Sequence, residues 1–371
     1  MKPFRPTIRP TISLLSHADD RAAPAEATPV KTSGVALVTG GAGFVGSNLC
    51  RFLLADGYRV MAVDNLITGR RKNLTALRSH AQFEFHQIDI VDPSFVSVFQ
   101  RTPIDVIFHL ACPTGVPNIQ RYGEEMLLTN SHGTKHVIDL ARQHCAAVIL
   151  TSSCEIYGQP EVFPQHERYT GNVDPIGPRS AYEEGKRFAE SMLITLGNKY
   201  GLDTKVVRIF NAYGPYMSPV DQRVIPRFLR SVVTGTELTI YGDGTQERTF
   251  LYVDDLVRGL LLVQQQGRPY EVYNLGSDRS ITIKELADLV LTLTGRHNPI
   301  VHQPHFIQDH NRRLPSLGKV QALGWQPEVA LEDGLARMIR AWRIASPARA
   351  VRTPIFVKPK PAAVKPVPLL D

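Results

Sequence analysis

The residues best suited to chemistry in this chain of 371 amino acids are a tyrosine, a lysine and a serine. Tyr182 and Lys186 stand four residues apart in YEEGK, so on a helix their side chains share one face. Ser153 comes directly after a predicted strand, in TSSCEIYG. An ammonium beside the phenol lowers the pKa of Tyr182, which could then take a proton from an alcohol. Ser153 would hold the alcohol oxygen, so the three groups form a set suited to hydride transfer.

A glycine-rich turn predicts the partner of that chemistry. Gly40, Gly43 and Gly46 follow a short apolar run at Val35 to Val38, in the spacing GxxGxxG. The first glycine suits a tight turn, the second suits close approach to a pyrophosphate, and the third suits packing of helix against strand. Asp64 ends the next strand roughly 20 residues later, where a carboxylate accepts from ribose hydroxyls and repels a 2′-phosphate. The pattern predicts NAD as cofactor, with NAD preferred over NADP. The positive nicotinamide ring and the Lys186 ammonium would both favour the phenolate of Tyr182.

Alternating strand and helix patterns predict the elements that position these residues: an α/β fold with a Rossmann doubly wound parallel sheet. Further strands are predicted at Gln82 to Ile88, Asp105 to Leu110, Ala147 to Ser152 and Lys205 to Phe210. Helical spacing marks Met126 to Arg142 and Ser180 to Tyr200. Ser180 and Glu183 form a capping-box pattern at the start of the second helix.

The pattern changes after Asn211, which predicts a smaller C-terminal α/β lobe. Short strands are expected at Glu237 to Tyr241 and Tyr270 to Asn274, and helices at Val253 to Gln265 and Thr282 to Thr294. Ligands of doubly wound folds lie beyond the carboxyl ends of the strands, so this lobe should close over the cofactor and contact the substrate. The predicted organisation is a disordered N-terminal extension at 1–33, an NAD-binding Rossmann domain at 34–211, a mainly substrate-binding lobe at 212–343 and a Pro/Lys-rich disordered tail at 344–371.

Composition predicts an ordinary soluble protein with reduced thiols. The net charge is +7, of which +2 lies in residues 1–33 and +4 in residues 344–371. The body is therefore nearly neutral, which argues against nucleic-acid binding. Four widely spaced cysteines predict neither disulfides nor a metal site, and no apolar run is long enough to cross a membrane. We expect a cytoplasmic protein without a metal.

These motifs resemble the extended short-chain dehydrogenase/reductase (NAD-dependent epimerase/dehydratase) family over Val35 to about Trp342. The chain is most similar to the UDP-glucuronate decarboxylase (UDP-xylose synthase) branch of that family. The motifs that carry the resemblance are VTGGAGFVG, VDNLITGRRKN, TSSCEIYG, PQHERYTGNVDPIGPRSAYEEGK, RIFNAYGP and YGDGTQERTFLYVDDLV. Among them, the Pro164–Gln165 pair before NVDPIGPR is more specific than the glycines.

The resemblance implies tightly held NAD, a UDP-sugar substrate and a homodimer formed through the helices around Met126 to Arg142 and Ser180 to Tyr200. It places Phe44, Val45, Asp64, Asn65, Thr68, Gly69, Asp89, Ile90, Leu110 and Ala111 along the cofactor, together with the turn glycines, Tyr182 and Lys186. It places Glu155 and Arg248 by the sugar carboxylate, and Asn211, Arg223, Tyr241 and Arg313 around the UDP.

Carbonyl chemistry then predicts the reaction. Oxidation of C4 of a glucuronosyl unit gives a β-keto acid, whose carboxylate leaves as carbon dioxide while an enolate forms at the C4 oxygen beside Tyr182 and Ser153. The chain departs from the decarboxylase pattern at Cys154, usually a serine, at Ser316, usually an aspartate, and in the loop CPTGVPN at 112–118. A UDP-sugar 4-epimerase is the alternative, a 4,6-dehydratase ranks below it, and an NAD-sensing binding module is the non-enzyme alternative.

Overall fold

The computed structural model of the protein describes residues 33–304 and 312–344, all of which belong to one compact unit. The predicted disorder of segments 1–33 and 344–371 falls, except for one residue of each, outside the described residues.

A seven-stranded parallel sheet forms the centre of the fold, as the sequence predicts. Its strands are β1 (Gly34–Thr39), β2 (Tyr58–Val63), β3 (Phe83–His86), β4 (Val106–His109), β5 (Ala147–Ser153), β6 (Thr204–Ile209) and, later in the chain, β11 (Val272–Leu275). Their order is β11-β6-β5-β4-β1-β2-β3, and every neighbouring pair is parallel. The order reverses between β1 and β4, which creates the crevice where such folds bind ligands.

Helices cover both faces of the sheet. They are α1 (Phe44–Ala55), α2 (Ser94–Phe99), α3 (Val116–Arg121), α4 (Gly123–Leu128), α5 (Thr134–His144), α6 (Ser180–Tyr200), α7 (Val224–Thr234), α8 (Val253–Gln266), α9 (Ile283–Thr294), α10 (Gly318–Gln321) and α11 (Leu331–Ile344). Successive strand residues point to opposite faces, so Val38 of β1 packs with α1 and α8 while Leu37 packs with α5 and α6. The two buried faces explain the apolar strand sequences.

The second half of the chain builds smaller sheets and also contributes to the central one. Short strands are β7 (Ala212–Tyr213), β8 (Leu238–Tyr241), β9 (Glu247–Thr249), β10 (Leu251–Tyr252), β12 (Ser280–Thr282) and β13 (Ile300–Gln303), paired as β7 with β10, β8 with β13 and β9 with β12. Because β11 is an edge strand of the seven-stranded sheet, the chain returns to the Rossmann layer after residue 211. The division of roles at that residue stays a prediction.

Two predictions about helices were wrong in detail. The expected helix from Met126 to Arg142 is divided by a π-helical turn at Thr129–Gly133, which separates α4 from α5. The expected capping box at Ser180 is absent: Arg179 is the N-cap of α6, and its Nε donates to Glu183 Oε1 at 2.9 Å. A hydrogen bond from a charged guanidinium is stronger than the bond from a backbone N–H that Glu183 would accept in a capping box, so Glu183 pairs with Arg179.

Candidate active site

A cavity of about 1310 Å³ opens where the parallel strands end, beside the switch point between β1 and β4. It is lined by every residue that the sequence singled out for a site. On the cofactor side these are Gly40, Gly43, Phe44, Val45, Gly46, Asp64, Asn65, Thr68, Gly69, Asp89, Ile90, Leu110 and Ala111, and on the reactive and substrate side they are Ser153, Glu155, Tyr182, Lys186, Asn211, Arg223, Tyr241, Arg248 and Arg313. The residues therefore meet at one place, while the role of each stays a prediction.

The glycine turn forms a cradle that side chains would fill. Gly40 has φ +70°, and a Cβ there would lie 2.9 Å from Ala111 N. A Cβ at Gly46 would lie 2.2 Å from Gly40 O, so both positions need glycine. No described side chain caps α1, whose N-cap is Gly43, and its first N–H groups are available to an anion. The turn fits the pyrophosphate of a dinucleotide.

Asp64 is fixed at the end of β2 by backbone donors. Its Oδ2 accepts from Ala42 N at 3.0 Å and its Oδ1 accepts from Leu66 N at 2.8 Å. Burial raises the pKa of this carboxyl group. Gly69 packs against it, because a Cβ there would lie 2.4 Å from Oδ1. Each oxygen keeps a further lone pair, so Asp64 can accept hydrogen bonds from ribose hydroxyls.

A buried histidine that the sequence analysis missed, His109, supports residues on the cofactor side of the cavity. His109 lies between Thr39 Oγ1, at 2.8 Å, and Thr134 Oγ1, at 3.1 Å. Burial lowers its pKa to about 3, so the imidazole is neutral. Thr39 Oγ1 in turn accepts the N–H groups of Leu110 and Ala111, both at 3.2 Å. This chain of bonds fixes two residues predicted to lie along the cofactor.

Tyr182, Lys186 and Ser153 converge on one wall of the cavity. The side chains of Tyr182 and Ser153 are hydrogen-bonded to each other. Lys186 is buried, and its Nζ donates to Thr151 O at 3.0 Å. Ser153 ends β5, and its Oγ also accepts the N–H of Glu155 at 3.2 Å. The phenol, ammonium and hydroxyl are thus held by α6 and β5 as the sequence predicts.

The pKa of Tyr182 moves in the opposite direction to the sequence-based prediction. Burial raises it, because a buried phenolate loses more hydration than a buried phenol. The hydrogen bond with Ser153 lowers the pKa, but by less than burial raises it. The prediction of a lowered pKa counted the positive charges of Lys186 and of the nicotinamide ring. The raised pKa results from the groups of the protein alone.

An ion-pair cluster around Glu155 forms the adjoining wall. Arg313 Nη2 donates to Glu155 Oε2 at 2.9 Å, and Arg313 Nη1 donates to Cys154 O at 2.7 Å. Arg179 pairs with the same carboxylate oxygen through its Nη2. Glu155 is therefore held between two guanidinium groups, one from the start of α6 and one from a loop far along the chain.

Three arginines act on this wall of the cavity. Arg179, Arg248 and Arg313 all act electrostatically on the thiol of Cys154, the residue preceding Glu155. The carboxylates of Glu155 and Glu183 both pair with Arg179. Arg179 was missed by the sequence analysis, although its place four residues before Glu183 is a typical helical ion-pair spacing. Guanidinium groups in this position suit an anionic group on a ligand.

The remaining substrate-side residues lie on the lobe built by the second half of the chain. Asn211 donates to a backbone carbonyl of β9 at 3.2 Å. The guanidinium of Arg227 lies 4.6 Å from the ring centroid of Tyr241. Arg223 pairs with Asp221 at 2.6 Å and is partly exposed. All of them line the same cavity, and the guanidinium of Arg223 lies 5.9 Å from the ring centroid of Phe44, which directly follows the glycine turn.

Two thiols also line the cavity, and both stay protonated at neutral pH. Burial raises the pKa of Cys154 to about 11. Burial also raises the pKa of Cys112, whose Sγ accepts from Asn130 Nδ2 at 3.3 Å. Asn130 lies on the π-helical turn between α4 and α5, and that irregularity could not be predicted from apolar spacing.

Within the described residues, no helix is both long and apolar enough to cross a membrane.

A doubly wound sheet with a glycine-rich phosphate turn and a wall of serine, tyrosine and lysine defines the short-chain dehydrogenase/reductase class of proteins. The chain belongs to the NAD dependent epimerase/dehydratase family, whose model matches residues 36–276. NAD is the cofactor of this family, and solved relatives of this fold contain it.

Similar proteins come from several kingdoms. UDP-glucuronic acid decarboxylase 1 of Xenopus tropicalis is 41% identical over 330 residues, which cover 89% of this chain and 76% of that protein. UDP-glucuronic acid decarboxylase 1 of Arabidopsis thaliana is 39% identical over 308 residues, covering 83% and 69% of the two chains. Among solved structures, the UDP-glucose 4-epimerase of Thermotoga maritima with UDP-glucose has a TM-score of 0.78 and 31% identity, covering 84% of this chain and 99% of that one.

Proposed function

We propose that this protein converts UDP-glucuronate to UDP-xylose and carbon dioxide through a transient ketone at C4. The observation that carries the proposal is the cluster of three arginines around Cys154 and Glu155, beside Tyr182 and Ser153. A sugar carboxylate is the anionic group that such a wall would select. Relatives at about 40% identity that are named UDP-glucuronic acid decarboxylases support this substrate.

Tyr182, Ser153 and Lys186 have separate roles in the oxidation at C4. NAD, held by the glycine turn and Asp64, supplies a hydride acceptor and donor for C4 when bound. Tyr182 takes the proton of the C4 hydroxyl, and Ser153 hydrogen-bonds the same oxygen. Because burial raises the pKa of Tyr182, the base needs positive charge nearby, and Lys186 provides it from the same helix face.

Carbon dioxide leaves because the 4-keto sugar is a β-keto acid. The electrons of the breaking C5–carboxylate bond move into an enolate, whose oxygen Tyr182 and Ser153 hydrogen-bond. C5 then takes up a proton and C4 is reduced, which gives the pentose. Arg248 and Arg179 orient the carboxylate, while Asn211, Arg223, Tyr241 and Arg313 contact the UDP.

A UDP-sugar 4-epimerase is the second candidate, and the solved epimerases that share the fold favour it. It uses the same oxidation and needs no carboxylate on the sugar, so it gives the arginine cluster no role in substrate choice. A 4,6-dehydratase ranks lower, because it needs an acid for the departing C6 hydroxyl and the pKa of Cys154 is raised to about 11. An NAD-sensing module would not need Tyr182, Lys186 and Ser153 on one wall.

Product analysis with UDP-glucuronate labelled with carbon-13 at C6 separates these functions. We expect labelled carbon dioxide and UDP-xylose in equal amounts. Labelled UDP-galacturonate without carbon dioxide would establish the epimerase instead. Absence of turnover with all UDP-sugars, in protein that holds NAD, would favour the sensing module.

The proposed assembly is a homodimer formed through α4, α5 and α6. Leu127 is 48% exposed and Phe188 is 51% exposed, and these large apolar side chains lie on two of those helices. We expect Leu127→Glu with Phe188→Glu to give a monomer in analytical ultracentrifugation. Val98→Glu, at a similarly exposed valine on α2, is the matched control and should stay dimeric. A double variant that remains dimeric would rule out this interface.

A cytoplasmic location is also part of the proposal. Its support is that the cysteines Cys50, Cys112, Cys145 and Cys154 are all free thiols, as expected in a reducing compartment. Cell fractionation with an antibody to the protein would test it, and recovery with a secretory fraction would contradict it.

A further inference from the structure

Gln165 does not line the cavity, yet it contacts the segment of chain that carries Arg313. Its side chain is 0% exposed. The Pro164–Gln165 pair is among the most specific features of the sequence, and no step of the proposed reaction uses it.

Three hydrogen bonds join Gln165 to residues 313–316, here called the arginine segment. Gln165 N donates to Leu314 O at 2.8 Å, and Gln165 Oε1 accepts from Leu314 N at 2.8 Å. Ser316 N donates to Gln165 O at 2.7 Å. Both backbone groups of Leu314, the direct neighbour of Arg313, are thus satisfied by a single residue.

Gln165 is itself tied to the central sheet. Asn274 of β11 is fully buried, and its Nδ2 donates to Gln165 O at 3.0 Å and to Ser316 O at 3.4 Å. The Oδ1 atom of Asn274 accepts from Tyr157 OH at 2.9 Å. Gln165 and Asn274 therefore connect the arginine segment to the central sheet by hydrogen bonds.

We infer that Gln165 is a positioning residue, which holds the arginine segment so that Arg313 reaches Glu155 and the carbonyl of Cys154. Arg313 is 2% exposed and its guanidinium makes two directed bonds, so a small shift of its backbone would break them. The inference deepens the proposed function and rests on it only where Arg313 is taken to contact the UDP-sugar.

Hydrogen exchange tests the inference without any ligand. Gln165→Met keeps the side-chain length and removes the acceptor of Leu314 N–H. We expect the peptide that contains residues 312–317 to exchange about tenfold faster, as for the loss of one buried hydrogen bond. Unchanged exchange in this peptide would overturn the inference.

Two control variants separate positioning from a general loss of stability. Gln143→Met makes the same chemical change at an exposed position of α5. Val290→Ala removes buried volume from α9, where Val290 is 0% exposed, and should lower the melting temperature. Neither control should change hydrogen exchange at residues 312–317. Faster exchange there in Val290→Ala would show that a general loss of stability is enough to cause the effect of Gln165→Met.

A double-mutant cycle then tests whether Gln165 acts through Arg313. We expect Gln165→Met to raise the Kd for UDP threefold to tenfold in the wild-type background, and to have no further effect in the Arg313→Ala background. The same factor in both backgrounds would overturn the inference. If wild-type protein binds no UDP, the proposed function fails, and the exchange experiment still decides the role of Gln165.

Discussion

The two ends of the cavity are built by different means. The cofactor end, defined by Gly40, Gly46 and Asp64, is made of backbone groups and close contacts within one strand–turn–helix–strand unit. The sugar end, defined by Glu155, Arg179 and Arg313, is made of side-chain ion pairs between separate parts of the chain. The first depends on the local fold, and the second depends on how distant elements pack.

This difference suggests that the two ends can change independently. The cofactor end has little freedom, because a single methyl group at Gly46 would overlap the backbone. The sugar end consists of long side chains that can pair in other ways. Solved structures named as a UDP-glucose 4-epimerase and a UDP-N-acetylglucosamine 4-epimerase share the fold, as expected if the choice of sugar is set at the sugar end.

The largest expected effect comes from the residue that stands between the two ends. Tyr182→Phe removes the proposed base without removing volume, so we expect kcat to fall by about 10² to 10⁴. NAD should remain bound, because the glycine turn and Asp64 are untouched. Turnover assays and the cofactor content of the purified variant check both statements. Near-normal turnover would refute the assignment of the base.

The second-largest expected effect comes from a substitution that disrupts the cofactor end alone. A Cβ at Gly46 would lie 2.2 Å from Gly40 O, and Gly46→Ala therefore forces the turn to shift. Overpacking of this kind costs about 1 to 3 kcal/mol, and we expect NAD affinity to fall about 10- to 100-fold. Gly318→Ala is the matched control, since no atom lies within 4 Å of a Cβ there. Equal NAD affinity in both variants would contradict this description of the turn.

A smaller effect is expected from a substitution that disrupts the sugar end alone. Arg179→Gln removes one of the two guanidinium groups that hold Glu155, and we expect kcat/KM for UDP-glucuronate to fall about tenfold with NAD binding unchanged. Arg279→Gln breaks an exposed pair with Glu332 and should have no effect on activity. Steady-state kinetics of both variants decide the point, and similar losses in both would remove Arg179 from the site.

The smallest expected effect concerns the support beneath the cofactor end. The pKa of His109 is about 3 in the folded protein against an ordinary value of 6.5, so between these values only the unfolded chain binds the proton. The unfolding free energy should therefore fall with decreasing pH below 6.5, by at most about 1.4 kcal/mol per pH unit from this group. Urea unfolding of His109→Gln should lack this contribution, while exposed His297→Gln should keep it. Equal pH slopes in wild type and His109→Gln would contradict a neutral buried histidine.

The same contrast explains what the sequence could predict. The strands, α6 and the lining at Gly40 and Asp64 follow from local patterns, because neighbouring residues determine them. The ion pairs of Glu155 could not be predicted, since Arg179 and Arg313 reach it only after α6 and the arginine segment have packed. The pKa direction that the protein's own groups give to Tyr182 could not be predicted either, because burial depends on the whole fold and outweighs the nearby hydrogen bond.

The selection of a carboxylate by the sugar end is the central claim, and a binding comparison tests it most directly. In Tyr182→Phe protein that holds NAD, turnover is blocked, and the Kd values of UDP-glucuronate and UDP-glucose can be measured by calorimetry. The two ligands differ only at C6, so the ratio reports what the arginines contribute. We predict that UDP-glucuronate binds at least about tenfold more tightly; equal affinities, or tighter binding of UDP-glucose, would contradict the account.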